Sequence, residues 1–457
     1  MAYRGEKKFL RDSVIAYDRR HRAILGHNIR KYEEAVTRGK MRHPHYDTFR
    51  EYAAGVKEEA LASLSGHLEM FERQITARGA QVFWARTAEE VLEIAGGFLS
   101  RNPSCRVVKS KSMITEECGF NEEASHRNWE VVETDLGEFI VQTAGEKPYH
   151  ILTPAMHKSR EDVARLFSEK FGTPEGATPA EIAAFTRYHL RDKFAEADAG
   201  ITGANFIVAD IGGIGLTENE GNALMTVSSP DLHIVIAGIE RVIPSVQQLP
   251  FFFQWVALHG TGQQVSAYNT LLLGPRAPGE KDGPREMVVI LLDNGRSRLL
   301  AREEEHAALR CIRCGACLNA CPIYRNVGGY TYGSVYTGPV GSVITPFYSG
   351  FRDYGHLSYA CTLCGRCSAV CPVKIPLSDL LLLNRQRMQE VSGGKPLWNR
   401  GMIAYRYLFA RRSRLERFGG RTANSLIALL PSPAGRHRKM PRLATRSFSH
   451  QWKTLNN

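Results

Sequence analysis

CIRCGACLNACP (residues 311–322) and CTLCGRCSAVCP (residues 361–372) are two copies of one pattern, C-x-x-C-G-x-C-x-x-x-C-P. Together they take eight of the ten cysteines in a chain of 457 residues. In each copy, three thiols two residues apart can curl around one corner of a compact body. The fourth, three residues on, points away. Gly315 and Gly365 occupy the same place in both copies, where a missing Cβ lets the backbone come close to a bulky inorganic group. Pro322 and Pro372 end each loop.

This is the bacterial ferredoxin run, whose thiolates bind two [4Fe–4S] clusters and whose fourth cysteine serves the other cluster. The spacing therefore assigns Cys311, Cys314, Cys317 and Cys371 to one cluster, and Cys361, Cys364, Cys367 and Cys321 to the second. Zinc sites use four ligands in C-x2–4-C pairs, which triplets followed by Cys-Pro fit poorly. A disulfide framework suits a small secreted chain better than this one. Cys105 and Cys118 read as buried free thiols.

Working outward from the motifs, the 39 residues between Cys321 and Cys361 are rich in glycine and tyrosine (VGGYTYGSVYTGPVGSV, residues 327–343). They could shield the clusters or form a docking face. Arg313, Arg366 and Lys374 lie in or beside the motifs, where positive charge favours the reduced state and raises a cluster's potential. Residues 301–394 are thus expected to form a helical two-cluster domain. Before it, PRAPGEKDGP (275–284) reads as a linker. The Asn294-Gly295 pair reads as the turn of a hairpin between 286–293 and 296–301, so residues 276–300 are taken as linker and hairpin.

Residues 76–275 alternate strands and helices and argue for an open, mainly parallel α/β sheet. Strands are expected at 81–84, 106–108, 129–133, 139–143, 150–153, 206–209, 223–227 and 231–237. Thr87 is the expected N-cap of a helix carrying Val91, Ile94, Ala95 and Phe98, with Glu90 in a capping box. Residues 1–75 read as a polar helical layer, with a second helix over 56–78.

Net charge is +12, and residues 395–457 carry 14 Lys or Arg against Glu416 alone. That tail is +13, and the other 394 residues sum to −1. A basic tail can meet a partner protein or a membrane surface. Nothing resembles a nucleic-acid module, so no nucleic-acid partner is expected. Composition is that of a globular protein, with no run of 18 apolar residues. The opening MAYRGEKKFLRD lacks an apolar signal core, and with eight oxygen-sensitive thiolates this leads to a cytoplasmic expectation.

Outside the motifs, three groups could carry chemistry. Lys109, Lys111, Ser112, Thr115, Glu116 and Glu117 follow a strand and could hold an anionic substrate, or simply start a solvated helix. The loop from Asp210 to Gly215, with Thr217, Glu218, Asn219 and Glu220, could line a crevice at strand ends or satisfy its own turn. It is not a G-x-G-x-x-G fingerprint, and no phosphate-binding G-x-x-x-x-G-K-[ST] occurs. His43 and His45 lack a matching ligand set.

With KSKSMITEECGFNE (109–122), WEVVETDLGEFIVQ (129–142), ENEGNA (218–223), PREMVVILLDNGRSRLL (284–300) and the two cysteine runs in this order, the chain resembles the lactate-utilisation iron–sulfur protein family. Trp398 and Trp452 in the basic end fit too. The resemblance implies a LUD domain, similar to the CoA-transferase-like group, in front of the ferredoxin-type domain. It implies an electron-transfer subunit working with two other lactate-utilisation subunits in oxidation of L-lactate to pyruvate. It carries over the eight cysteines and no catalytic residue. Lactate oxidation releases two electrons, and no flavin or nicotinamide motif is present. The expectation is therefore a relay: a partner oxidises the substrate and single electrons pass through this chain to an acceptor. The alternatives are an autonomous LUD-domain enzyme on another small acidic metabolite, an iron–sulfur subunit for another 2-hydroxy acid such as glycolate, or a redox-sensing regulator.

Overall fold

Four helices open the chain: α1 (Arg4–Asp12), α2 (Arg19–Met41), α3 (Tyr46–Ala62) and α4 (Leu64–Thr76). This computed structural model describes residues 4–102, 104–392, 396–414, 420–429 and 442–455. The helix expected over 56–78 is broken at Ser63 into α3 and α4. Next come β1 (Gln81–Ala85), α5 (Ala88–Leu99), β2 (Arg106–Lys109), α6 (Met113–Cys118), α7 (Phe120–His126), β3 (Glu130–Glu133), α8 (Leu136–Thr143), α9 (Arg160–Phe171) and α10 (Pro179–Ala195). They are followed by β4 (Ala199–Thr202), β5 (Phe206–Val208), β6 (Gly213–Glu218), α11 (Asn222–Ser228), β7 (Leu232–Gly238), β8 (Val242–Ile243), α12 (Leu249–Thr261), β9 (Tyr268–Leu272) and β10 (Glu286–Leu292).

The strands form a six-stranded sheet in the order β1-β10-β7-β4-β2-β3, with every pairing parallel. The central strands β7 and β10 are apolar runs because both faces are covered. Val235, Ala237, Val289 and Leu291 face Leu68, Phe71 and Ile75 of α4. Ile234, Ile236, Val288 and Ile290 face Val91, Ala95 and Phe98 of α5. A second sheet, β8-β5-β6-β9, mixes parallel and antiparallel pairs. The open α/β architecture with a parallel sheet is as the sequence led one to expect. Thr87 caps α5, accepting the Glu90 N–H.

Four local expectations are corrected. Residues 139–143 lie in α8, whose N-terminus is capped by Asp135 accepting the Glu138 N–H at 3.1 Å. Residues 223–227 lie in α11, where Glu218 accepts the N–H groups of Ala223 and Leu224 at 2.8 and 2.9 Å. Residues 150–153 form a turn instead of a strand, because His150 Nδ1 accepts the N–H groups of Leu152 and Thr153. The hairpin at 286–301 is absent: β10 joins the parallel sheet, and Arg296–Leu300 is helix α13. Asn294 and Gly295 do take positive φ (42° and 89°), but they turn the chain into a helix, with Asp293 accepting the Ser297 N–H.

The cysteine region is helical: α14 (Ala316–Ala320), α15 (Tyr324–Val327), α16 (Gly338–Ser349), α17 (Phe351–Tyr354), α18 (Arg366–Val370) and α19 (Leu377–Ser392). One core joins it to α2, α3 and α12, through Leu25, Ile29, Val56 and Trp255 on one side and Leu318, Tyr324, Val343 and Leu380 on the other. The Gly/Tyr insert is interior: Tyr332, Tyr336, Val340, Val343 and Ile344 are all buried. The helices of the N-terminal layer therefore support both the sheet and the cysteine region. Lys57 of α3 donates to the carbonyls of Glu240 and Val242, and Arg50 of the same helix donates to the Cys371 carbonyl.

Residues Gln389–Asn457 form a separate compact unit. Its described helices are Pro396–Phe409, Gly420–Leu429 and Phe448–Leu455. Ile403, Tyr405, Tyr407 and Phe409 are exposed on the first. Much of the basic tail, including Lys395, residues 415–419 and residues 430–441, lies outside the described residues. Among those described, no helix is long and apolar enough to cross a membrane.

Candidate functional site

The two cysteine loops take the same backbone turns at matching positions. Arg313 and Leu363, third in each motif, both take positive φ (59° and 55°), an uncommon state for residues with side chains. Gly315 (φ 74°, ψ −5°) and Gly365 (φ 73°, ψ −8°) then start the short helices α14 and α18. These turns aim backbone N–H groups at sulfur. Arg313 N donates to Cys311 Sγ at 3.4 Å, and Leu363 N to Cys361 Sγ at 3.3 Å. Ile375 N donates to Cys371 Sγ at 3.4 Å. Such donors stabilise thiolate and tune a bound cluster.

The last cysteine of each loop lies near thiols of the other loop. Burial pushes the Cys317 thiol up, and the neighbouring thiols of Cys311, Cys314 and Cys371 push it further. Burial likewise raises Cys321, with Cys361 and Cys364 as its sulfur neighbours. Cys367 is pushed up to about 11 by burial, then by Cys321 and Cys361. All eight are free thiols. Among the described residues, no three cysteine sulfurs lie within 4.8 Å of one another. A single zinc ion, about 2.3 Å from each sulfur, would need them tighter. Clustered thiols with N–H donors on three of the sulfurs suit iron–sulfur ligation.

The two halves differ in their surroundings. Ile312, Cys314 and Gly315 of the first motif are buried, whereas Thr362, Leu363, Cys364 and Arg366 of the second are exposed. The first motif backs onto a cavity of about 360 Å³ at the carboxyl ends of β2, β4 and β7. Ligands of open α/β sheets bind at such strand ends. Ile312 and Arg313 line it from the cysteine side; Lys111, Ser112, Asn205, Glu218 and Glu220 line it from the sheet side. Arg241 also lines it, donating through Nε to Ala204 O (3.2 Å) and through Nη1 to Cys311 O (3.5 Å). The wall is thin: a Cβ on Gly315 would come within 3.2 Å of cavity-lining Leu152.

A buried ionic network underlies the cavity. Arg296 binds Glu117 through both terminal nitrogens (2.9 and 2.8 Å) and Glu240 through Nε (2.5 Å). Arg313 Nη2 adds a contact to Glu240 at 3.3 Å, and its guanidinium lies over the Tyr336 ring. The Tyr336 hydroxyl donates to Glu117 at 2.6 Å. Burial alone would raise Glu240, but Arg296, Arg313 and Arg241 hold its carboxyl at about 2. Burial, helped by Arg241, brings Lys57 down to about 7.

The polar groups expected from sequence divide. Lys111, Ser112, Glu218 and Glu220 do line the cavity. Burial, then Asp135, pushes Glu220 up to about 7. Lys109 does not line it: it is fully buried, paired with Glu133 (2.7 Å) and Glu116 (3.3 Å), with Glu138 at 3.9 Å. Desolvation would strip its proton, and those carboxylates keep it charged. Glu116 and Glu117 likewise serve internal pairs. Arg241 went unread because it belongs to no motif; a lone arginine after an apolar strand was its only signal. His43 packs against Phe49, and Cys105 and Cys118 are buried.

The geometry agrees with what comparisons with known proteins show. The LUD domain matches residues 68–292 and the 4Fe-4S dicluster domain residues 307–375. Lactate utilization protein B of Bacillus licheniformis is 41% identical over 393 residues, 86% of this chain and 80% of its own. That of Macrococcus caseolyticus is 40% identical over 384 residues, with 84% and 80% covered. An Escherichia coli relative, named uncharacterized electron transport protein YkgF, is 42% identical over 346 residues, with 76% and 73% covered. With its parallel α/β sheet, its paired cysteine loops and this similarity over most of its length, the chain belongs to the lactate utilization protein B family.

Proposed function

We propose that this chain is the iron–sulfur electron-transfer subunit of an L-lactate oxidation complex. The observation that carries the reading is the two-sidedness of the cysteine region, with one motif against an internal cavity and its twin at the surface. Cys311, Cys314, Cys317 and Cys371 hold one [4Fe–4S] cluster; Cys361, Cys364, Cys367 and Cys321 hold the other. Such clusters supply one-electron transfer. The chain's own part is to keep water from the inner thiols through Tyr332, Tyr336 and Val340, to set N–H donors on sulfur, and to expose Thr362, Leu363 and Cys364 to a partner. The names of the relatives support lactate utilisation and electron transport.

In this proposal the partners are two other lactate-utilisation subunits, one of which performs the two-electron oxidation. The assembly works in the cytoplasm. The basic tail, with Ile403, Tyr405 and Tyr407 exposed beside Arg406 and Arg411, holds a partner or touches an anionic membrane surface. The test is anaerobic co-purification at native expression, with EPR on the reduced sample. Two interacting [4Fe–4S] signals and co-eluting subunits are expected; one cluster or none, or an active monomer, would sink the relay. The cavity keeps a second proposal in view, an autonomous enzyme on a small acid. Turnover of lactate with an artificial acceptor by the purified chain alone would favour it.

A further inference from the structure

We propose that the cavity between the sheet ends and the first cysteine motif binds a small monocarboxylate, its anionic end against Arg241 and Arg313. This deepens the lactate-utilisation reading, and rests on it only for the choice of probes.

The first support is a charge count. Three guanidiniums, Arg241, Arg296 and Arg313, line the cavity, and only two carboxylates, Glu117 and Glu240, answer them. Arg296 is saturated by both. Arg313 gives Nη2 to Glu240, while its Nη1 is buried with no hydrogen-bond partner in the protein. Arg241 reaches two neutral carbonyls. A buried, incompletely paired guanidinium is costly, and a bound anion with two oxygens is its natural complement.

The second support is selectivity. Elsewhere the cavity is lined by Asp135, Glu218 and Glu220, with only Lys111 among them. That acidic group opposes dianions and polyanions, and leaves the arginine end as the place where a single carboxylate is matched. A volume of about 360 Å³ also suits a small metabolite.

The third support is position. Arg241 donates to the Cys311 carbonyl, and Arg313 lies inside the motif. An anion there opposes the charge of an added electron, so occupancy shifts the first cluster to a more negative potential. Arg241 and Arg313 also sit near the Cys311 thiol, so a simpler role, balancing thiolate charge alone, has to be separated by experiment.

The test uses the full chain, reconstituted without oxygen, in equilibrium dialysis with L-lactate, pyruvate and inorganic phosphate, alongside potentiometric EPR. Saturable binding of L-lactate or pyruvate, but not phosphate, is expected, with a negative shift of one reduction step. Arg241→Gln should weaken binding by about tenfold or more and abolish the shift, at unchanged iron and sulfide. Lys111→Gln, away from the cysteines, should weaken it severalfold and serves if Arg241→Gln fails to hold iron. A wild-type chain with its iron in place that binds neither acid overturns the site and leaves the relay standing. Phosphate competing equally, or binding unchanged in both variants, also overturns it. A chain that lacks clusters yet binds pyruvate supports the site and sinks the relay.

Discussion

The two cysteine motifs share their backbone turns and differ in burial. Arg313 and Leu363, and Gly315 and Gly365, are conformational twins. Yet Ile312 is 3% exposed and Leu363 is 40% exposed. The first motif is enclosed by α2, α3, α12 and α16, and its arginine joins a buried ionic network. The second meets solvent along Thr362–Cys364. Identical cysteine spacing thus sets the local backbone, and packing decides which half backs onto the cavity and which meets solvent.

The largest expected effect tests the exchange of cysteines. Cys371→Ser sits in the second loop but removes a thiol from the first set. It should abolish the inner cluster and roughly halve iron and sulfide content, with the surviving EPR signal that of the outer set. Loss of the outer signal instead would break the pairing. Next comes the network behind the first motif. Arg296→Met leaves Glu117 without its guanidinium and Glu240 with weaker partners, and should cost about 3–5 kcal/mol in chemical denaturation.

Swapping equivalent side chains tests the inside–outside contrast itself. Ile312→Thr puts a hydroxyl into a buried site and should cost about 1–3 kcal/mol. His233 of β7, away from both loops, gives a reference that should ignore such swaps. Burial lowers it to about 3, so it stays neutral when folded while the unfolded imidazole takes up a proton. Its contribution is complete above the ordinary histidine range and is lost as pH falls from about 6.5 toward 3, by up to about 1.4 kcal/mol per pH unit. His233→Gln should flatten the denaturation midpoint against pH in that window. Smallest of all, Thr362→Ile should change stability by less than about 0.5 kcal/mol. Equal costs for Ile312→Thr and Thr362→Ile would erase the comparison.

The parallel sheet was legible in the long apolar strand β7, whereas β10 was expected as a hairpin strand and joins the sheet instead. It was misread where a short apolar run carried no period. Phe139–Thr143 and Ala223–Val227 look like strands, and become helices because Asp135 and Glu218 cap them from neighbouring segments. The Asn294-Gly295 turn was correctly seen as two positive φ angles. What followed it depended on Arg296 finding Glu117 and Glu240, residues 179 and 56 positions away. Lys109 looked available for a substrate until three carboxylates from α6, β3 and α8 enclosed it.

By itself the sequence determined the eight-cysteine pattern, its iron–sulfur character and the class of the preceding domain. Those properties are local: thiol spacing, turn glycines and runs of aliphatic residues act within a few positions. Only the tertiary structure decided that one motif faces inward, that Arg241 and Arg313 meet at a cavity, and that Lys109 does not. Those outcomes depend on which distant surfaces bury one another, and burial is a property of the packed chain, not of any one stretch of it.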